Sequence, residues 1–146
     1  MTTQDTERFS RFFDEYARAA READADATVR AYASATIESG ASGVVAAQVD
    51  EAYREAVAAH SGGLASLGLL DSEAVVEEVA PFAPDHWRVR VRWTMAFERE
   101  GRRIESSFEI TYLLRDVDGL EIVLYVSHED QQAVMERDGI LPAQPS

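Results

Sequence analysis

Trp87-Arg88-Val89-Arg90-Val91-Arg92-Trp93 alternates an apolar with a charged residue at every step. Successive side chains of a strand point to opposite faces, so this stretch predicts a strand with one buried and one solvent-facing surface. Downstream, Glu100-Gly101 offers a tight turn and Ile104 to Arg115 a second strand. Asp116-Val117-Asp118-Gly119 then gives another turn, and Leu120 to Ser127 a third strand. A two-residue turn at Glu100-Gly101 sets Trp93 opposite Phe108, Val91 opposite Ile110, Val89 opposite Tyr112 and Phe97 opposite Ile104, all on one apolar face. On the other face Arg92 meets Glu109 and Glu98 meets Arg103. A slip of one residue destroys both patterns. A two-residue turn at Asp118-Gly119 pairs Tyr112 with Tyr125 and Glu109 with His128. Tyr125 then joins the apolar face, and Leu113, Leu124 and Val126 lie beside Arg92 and Glu109.

Upstream of this meander the period changes. Phe9, Phe12, Phe13, Tyr16, Ala17 and Ala20 recur at helical spacing and predict an amphipathic helix from about Thr6 to Glu22, capped by Asp5 or Thr6. Ala23-Asp24-Ala25-Asp26 reads as a break in which either aspartate can cap a short second helix through Val29 and Tyr32. Ser34 to Glu38 is a short strand, Ser39 to Gly43 a loop and Val44 to Gln48 a return strand. Asp50 caps a third helix whose apolar stripe runs through Ala52, Tyr53, Ala56, Val57, His60, Leu64 and Leu67. Gly62-Gly63 is a place for it to kink or fray, and Gly68 is its stop. Ala74 to Ala80 is a further strand, with Pro81 and Pro84 breaking regularity after it. Ser127-His128-Glu129-Asp130 resembles a capping box leading into a terminal helix through Arg137, stopped by Gly139. The expectation is a single domain over 1–146, with loose termini at 1–5 and 142–146.

The composition narrows the function classes. Hydrophobic residues make up 46% and charged residues 28%, ordinary for a globular domain. The net charge is −13 and every cation is arginine, with no basic cluster, which argues against nucleic-acid binding. No apolar run approaches the ~18 residues of a membrane span, and the polar start Met-Thr-Thr-Gln-Asp-Thr-Glu-Arg has no apolar signal core. A cytoplasmic location and no membrane partner are therefore expected. There is no cysteine, and the histidines are dispersed at 60, 86 and 128, so neither a metal nor another cofactor is expected.

Helices followed by a long meander of strands, with Phe12-Phe13-x-x-Tyr16-Ala17-x-Ala19, Asp24-Ala25-Asp26, Tyr32-Ala33 and Phe97-Glu98-x-x-Gly101-Arg102-Arg103, resemble the NTF2-like superfamily. The similarity is to its SnoaL-like and ketosteroid-isomerase-like members, closest to uncharacterised bacterial ones. The resemblance implies an α+β fold. N-terminal helices pack in the concave side of a strongly curved, mostly antiparallel sheet, the cystatin-like cone, with a short C-terminal helix. It implies that Tyr16 matches the helix-1 tyrosine of the ketosteroid isomerases. Their base falls at about Ser39 or Gly40 and their second acid at about Ile110, so two of three roles are vacant and steroid-type isomerisation is disfavoured.

On this frame Phe12, Tyr16, Tyr32, His60, Trp93, Phe108, Tyr112 and Tyr125 are the expected lining of a pocket for a small apolar or aromatic molecule, the alternative being an ordinary aromatic core. Tyr16 and His60 are the candidate acid–base pair, and would make the protein a cyclase or isomerase. Arg90, Arg92, Glu109, Leu113, Leu124 and Val126 are the expected surface of a homodimer, because apolar side chains on an open sheet face call for cover. A third reading is a dimerisation or scaffold domain with a filled cone.

Overall fold

A computed structural model describes residues 3–142, with side chains from residue 6 onward. The chain runs α1 (Thr3–Arg21), α2 (Ala25–Arg30), β1 (Tyr32–Gly40), β2 (Gly43–Gln48), α3 (Glu51–Ser66), β3 (Leu69–Ala83), β4 (His86–Arg99), β5 (Arg102–Asp116), β6 (Leu120–Ser127) and α4 (Gln131–Arg137). The six strands form one sheet in the order β2-β1-β6-β5-β4-β3. All neighbours are antiparallel except β1 and β6, which run parallel. This is the expected α+β cone.

The β4–β5 hairpin carries the register expected of it. Trp93 pairs with Phe108, Val91 with Ile110, Val89 with Tyr112, Phe97 with Ile104, Arg92 with Glu109 and Glu98 with Arg103. Glu100 (φ 53) and Gly101 (φ 77) both take positive φ, the conformation in which a two-residue turn matches the twist of its strands. Val89, Val91, Trp93, Phe97, Phe108 and Tyr112 are all buried. Against them α1 lays Phe9, Phe13 and Ala17, also buried. The Phe13 and Tyr112 rings stand 4.8 Å apart, and the Phe9 and Trp87 rings 5.3 Å.

The β5–β6 hairpin reaches the expected Tyr112–Tyr125 pair by another route. Asp116 pairs with Leu120, so the turn has three residues, Val117 to Gly119, not two. The register then shifts between Leu113 and Leu114, leaving Val123 as a bulge. The bulge cancels the extra turn residue. Tyr112 faces Tyr125, Leu113 faces Leu124, and the His128 amide donates to the Glu109 carbonyl at 3.0 Å.

Other boundaries moved. Helix α1 already includes residues 3–5, so Thr6 lies inside its first turn rather than at a cap; of the ends expected to be loose, only 143–146 and 1–2 fall outside the described residues. Asp24 caps α2, its Oδ1 accepting the Ala27 amide at 3.1 Å. That helix stops at Arg30 because the Ala31 carbonyl is taken by the Ile122 amide, at 2.8 Å, and the chain enters the sheet. Tyr32 is therefore strand, not helix. The loop expected over 39–43 shrinks to the two-residue turn Ala41-Ser42. Helix α3 passes through Gly62-Gly63 without a break. Gly68 (φ 94) follows it, where an added Cβ would lie 2.4 Å from the Glu98 carbonyl oxygen. Strand β3 extends well beyond 74–80 and takes in Pro81. An edge strand tolerates the missing amide, and the turn falls at Pro84-Asp85. Helix α4 is capped by Asp130, not Ser127. It closes at Gly139 (φ 81), the Ile140 and Gly139 amides donating back to Met135 and Glu136, which buries Ile140 completely.

Candidate functional site

The cone is not filled by its own side chains. A cavity of about 410 Å³ lies between α1, α3 and the inner face of the sheet. The exposed helix α3 forms one wall with Tyr53, Ala56, Val57, His60, Ser61 and Leu64, while α1 adds Tyr16 and Ala20, and α2 adds Thr28. The sheet supplies Tyr32 and Glu38 from β1, Trp93 and Met95 from β4, Phe108, Ile110 and Tyr112 from β5, and Tyr125 from β6, with Gln131 at the rim. All five tyrosines of the chain belong to these walls. Of the side chains expected to line a pocket, seven do so. The eighth, Phe12, packs edge to face on Phe13 at 5.1 Å and does not reach the cavity.

Polar groups inside are few and connected. The Tyr16 and Tyr32 hydroxyls are 2.5 Å apart. The Tyr53 hydroxyl donates to Glu38 Oε1 at 2.7 Å, and the Trp93 Nε1–H donates to the Tyr112 hydroxyl at 2.9 Å. Tyr32 and Tyr53 stand edge to face at 5.7 Å, which joins the two halves into one cluster. Burial pushes the Tyr16 phenol up to about 12, against the pull of its bond to Tyr32. Burial likewise raises Tyr32, Tyr53, Tyr112 and Tyr125, with the Glu38 charge adding to the effect at Tyr53 and Tyr125. Every phenol in the cavity thus stays a neutral donor through the physiological range.

Both members of the expected acid–base pair line the cavity, but the hydroxyl of Tyr16 is engaged with Tyr32 rather than with His60. His60 is exposed and makes no side-chain hydrogen bond among the described residues. The carboxylate inside is Glu38, which no pattern in the sequence singled out. The resemblance put the isomerase base at Ser39 or Gly40 and found the place vacant. The strand presents an acid one residue earlier, because Glu38 pairs with inward-facing Tyr125 while Ile37 pairs with outward-facing Leu124. The second acid position is inert as expected, since Ile110 lines the wall. Among the described residues no three His, Asp or Glu side chains converge as a metal site.

Opposite the cavity, the outer face carries Arg90, Arg92, Glu109, Leu113, Leu124 and Val126 as expected. Glu109 is met by Arg90 on the diagonal rather than by Arg92 straight across, while Arg90 also reaches its direct partner Glu78 at 3.6 Å. Arg92 bonds Glu77 at 3.3 Å, Arg90 bonds Glu109 at 3.1 Å, and His128 Nε2 meets the Thr111 hydroxyl at 2.6 Å. Ile37 and Val126 remain 43% and 42% exposed on this face.

A curled sheet wrapped on N-terminal helices, with a cavity in its open end, is the NTF2-like, cystatin-like fold. No family model matches the sequence, and no curated protein matches it either. Solved structures match in fold. Aln2 from a Streptomyces strain aligns with a TM-score of 0.70 over 94% of this chain and 99% of its own, at 14% identity. An NTF-2 like protein of unknown function from Shewanella oneidensis MR-1 gives 0.64 over 86% and 99%, at 18% identity. A hypothetical protein with ketosteroid isomerase-like fold from Catenulispora acidiphila DSM 44928, solved in complex with trimethylamine, gives 0.58 over 92% and 97%, at 15% identity. At such identities the likeness speaks for the fold and leaves the chemistry to the residues. Among the described residues no helix is long and apolar enough to cross a membrane.

Proposed function

We propose that the protein binds a small apolar or aromatic molecule in the cone and does so as a homodimer joined through the outer sheet face. The observation that carries the first part is the cavity itself. About 410 Å³ is the size of a small-molecule site, and its walls are aromatic with few polar tips. A void of that volume in a core would cost stability without return, since packed interiors leave few gaps larger than a water. Native mass spectrometry of the purified protein, together with quenching of Trp93 fluorescence by added aromatic compounds, tests it. Retained or added ligand supports the reading. A protein that retains nothing and whose Trp93 responds to no aromatic compound refutes it. For the dimer, the support is the exposed Ile37 and Val126 beside Leu113 and Leu124. Light scattering at micromolar concentration should give twice the mass of the chain, and Leu124→Asp should halve it. A monomeric wild type sinks the proposal.

A second reading is favoured by one group, Glu38. A carboxylate facing neutral phenols in an apolar cavity suits proton removal from carbon next to a carbonyl, whose developing negative oxygen a phenol O–H stabilises. Glu38 then replaces His60 as the base of the isomerase alternative, with Tyr16 as donor. Deuterium uptake by an aromatic ketone such as 2-tetralone in heavy water, followed by NMR, tests it. Uptake accelerated by wild type and lost in Glu38→Gln is the expected result, and equal rates in both refute it.

A further inference from the structure

We infer that the molecule held in the cone carries a positively charged nitrogen, an organic ammonium on an apolar body, seated against Glu38 and the surrounding aromatic faces. The inference rests on the reading of the cone as a binding site and adds the charge of what it takes. Three observations converge on it.

The first is that Glu38 has no cationic partner among the described residues. Glu77, Glu78, Glu109 and Glu121 elsewhere on the sheet are matched by arginines, and the sheet acids without one, Glu73 and Glu98, are exposed to solvent, whereas Glu38 is half-buried at the cavity. The groups that meet Glu38 are neutral phenols, Tyr53 by a direct hydrogen bond and Tyr125 beside it. A half-buried carboxylate held only by neutral donors has acceptor capacity left over toward the cavity.

The second is the composition of the walls. All fourteen basic side chains of the chain are arginine, and none lines this cavity. A neighbouring hollow of about 310 Å³, which shares Glu38, Tyr125 and Gln131 with the cone, adds Glu129 and Asp130 and again no arginine. An anionic ligand would meet Glu38 with no arginine to offset the repulsion and would lose its hydration as well. The net charge of −13 disfavours its approach from any distance within the screening length.

The third is the arrangement of rings around that carboxylate. Tyr32 and Tyr53 stand edge to face, as do Tyr16 and Trp93 at 5.6 Å, while Tyr112 and Tyr125 are tilted at 5.7 Å. Tilted and edge-to-face packing turns some π-faces toward the open space instead of stacking them on one another. Aromatic faces around a cavity, with one uncompensated carboxylate, form the environment that replaces water around an alkylammonium. A neutral ligand gains the rings but leaves Glu38 unanswered.

The test uses one aromatic body at three charges: 2-phenylethylamine, 2-phenylethanol and phenylacetate at pH 7, titrated into the whole protein at 0.15 M salt with Trp93 fluorescence and NMR shifts as readouts. The ammonium should bind about tenfold tighter than the alcohol, and phenylacetate weakest of the three. In Glu38→Gln the amine and the alcohol should bind alike. Equal or tighter binding of the alcohol by wild type overturns the ammonium inference while the binding reading stands. A preference for the amine that survives in Glu38→Gln overturns the role given to Glu38, assigning the preference to the acidic surface. Failure of all three to bind overturns the binding reading together with this inference.

Discussion

Raising the pH should unfold this protein abruptly, and the cone should be the cause. Every tyrosine of the chain lines the cavity, and burial raises each phenol above its ordinary value near 10. A phenol whose folded value is raised contributes stability in full below pH 10. Above it the unfolded chain loses protons that the folded chain keeps, so that contribution drains away until the folded value is passed. Each such group costs about 1.4 kcal/mol per pH unit in that window. Counting only the most enclosed phenols, Tyr16, Tyr32 and Tyr112, the slope is about 4 kcal/mol per unit. Against a total stability of ~5–8 kcal/mol, the lower part of the range for a domain, the midpoint falls between about pH 11 and 12, near the value of about 12 to which Tyr16 is pushed. The chain has no lysine, so no ε-amine titrates in the same range to confuse the result. Tyrosinate absorbance at 295 nm and far-UV circular dichroism, followed together, check it. Both should stay flat past pH 10 and then change in one coincident step. Phenols ionising near pH 10 in a protein that keeps its circular dichroism would refute the enclosure of the tyrosines.

Four further substitutions probe the frame around the cavity. Gly68→Ala forces an L side chain into φ 94 and against the Glu98 carbonyl oxygen. It should cost about 3 kcal/mol and lower the thermal midpoint by about 10 °C, whereas Gly62→Ala, with nothing within 4 Å of the new Cβ, should stabilise by ~0.5–1 kcal/mol; equal midpoints for the two would contradict the argument. Phe13→Ala removes a fully buried ring lying on Tyr112 and should cost ~3–5 kcal/mol in urea unfolding. Ile140→Ala, only two residues beyond the end cap of α4, should cost ~2–5 kcal/mol by the same assay, because that side chain is wholly buried; a loss under about 1 kcal/mol would mean the segment is not part of the core.

The sheet was legible where alternation was strong and the turn chemistry simple. Trp87 to Trp93 and its partners on β5 have both faces marked, one apolar and one charged, so a wrong register was penalised twice. Strand β1 has no such marking. Ala33, Ser34, Ala35 and Thr36 differ little in polarity, and its register against β6 is irregular between Tyr32 and Ile37. Which way Glu38 points is decided by that irregularity and by the pairing with Tyr125, neither of which leaves a trace in local sequence. The one available signal was the pair Ile37-Glu38 itself, since an apolar residue on the open face leaves its neighbour facing in. Phe12 failed as a lining residue for a related reason. Helical spacing puts it on the apolar side of α1, but Tyr16 and Ala20 are the side chains of that helix that reach the cavity, and Phe12 packs on Phe13 instead. Prolines misled at β3, where an edge position removes the penalty that a central strand would impose.

The bulge at Val123 acts as a phase shifter. Ahead of it, β6 sends Ile122 to the core opposite Leu114; behind it, Tyr125 is inward and Leu124 outward, although strict alternation from Ile122 would have exchanged them. One strand thereby serves two different interiors, the packed core around Leu114 at one end and the cavity lined by tyrosines at the other. Loss of Val123 would heal the ladder without moving either set of partners. Loss of a residue at 124 or 125 would instead change what β6 presents to the cavity. The fold therefore tolerates a change in chain length at one point of this strand and reads it as a change of site two residues later.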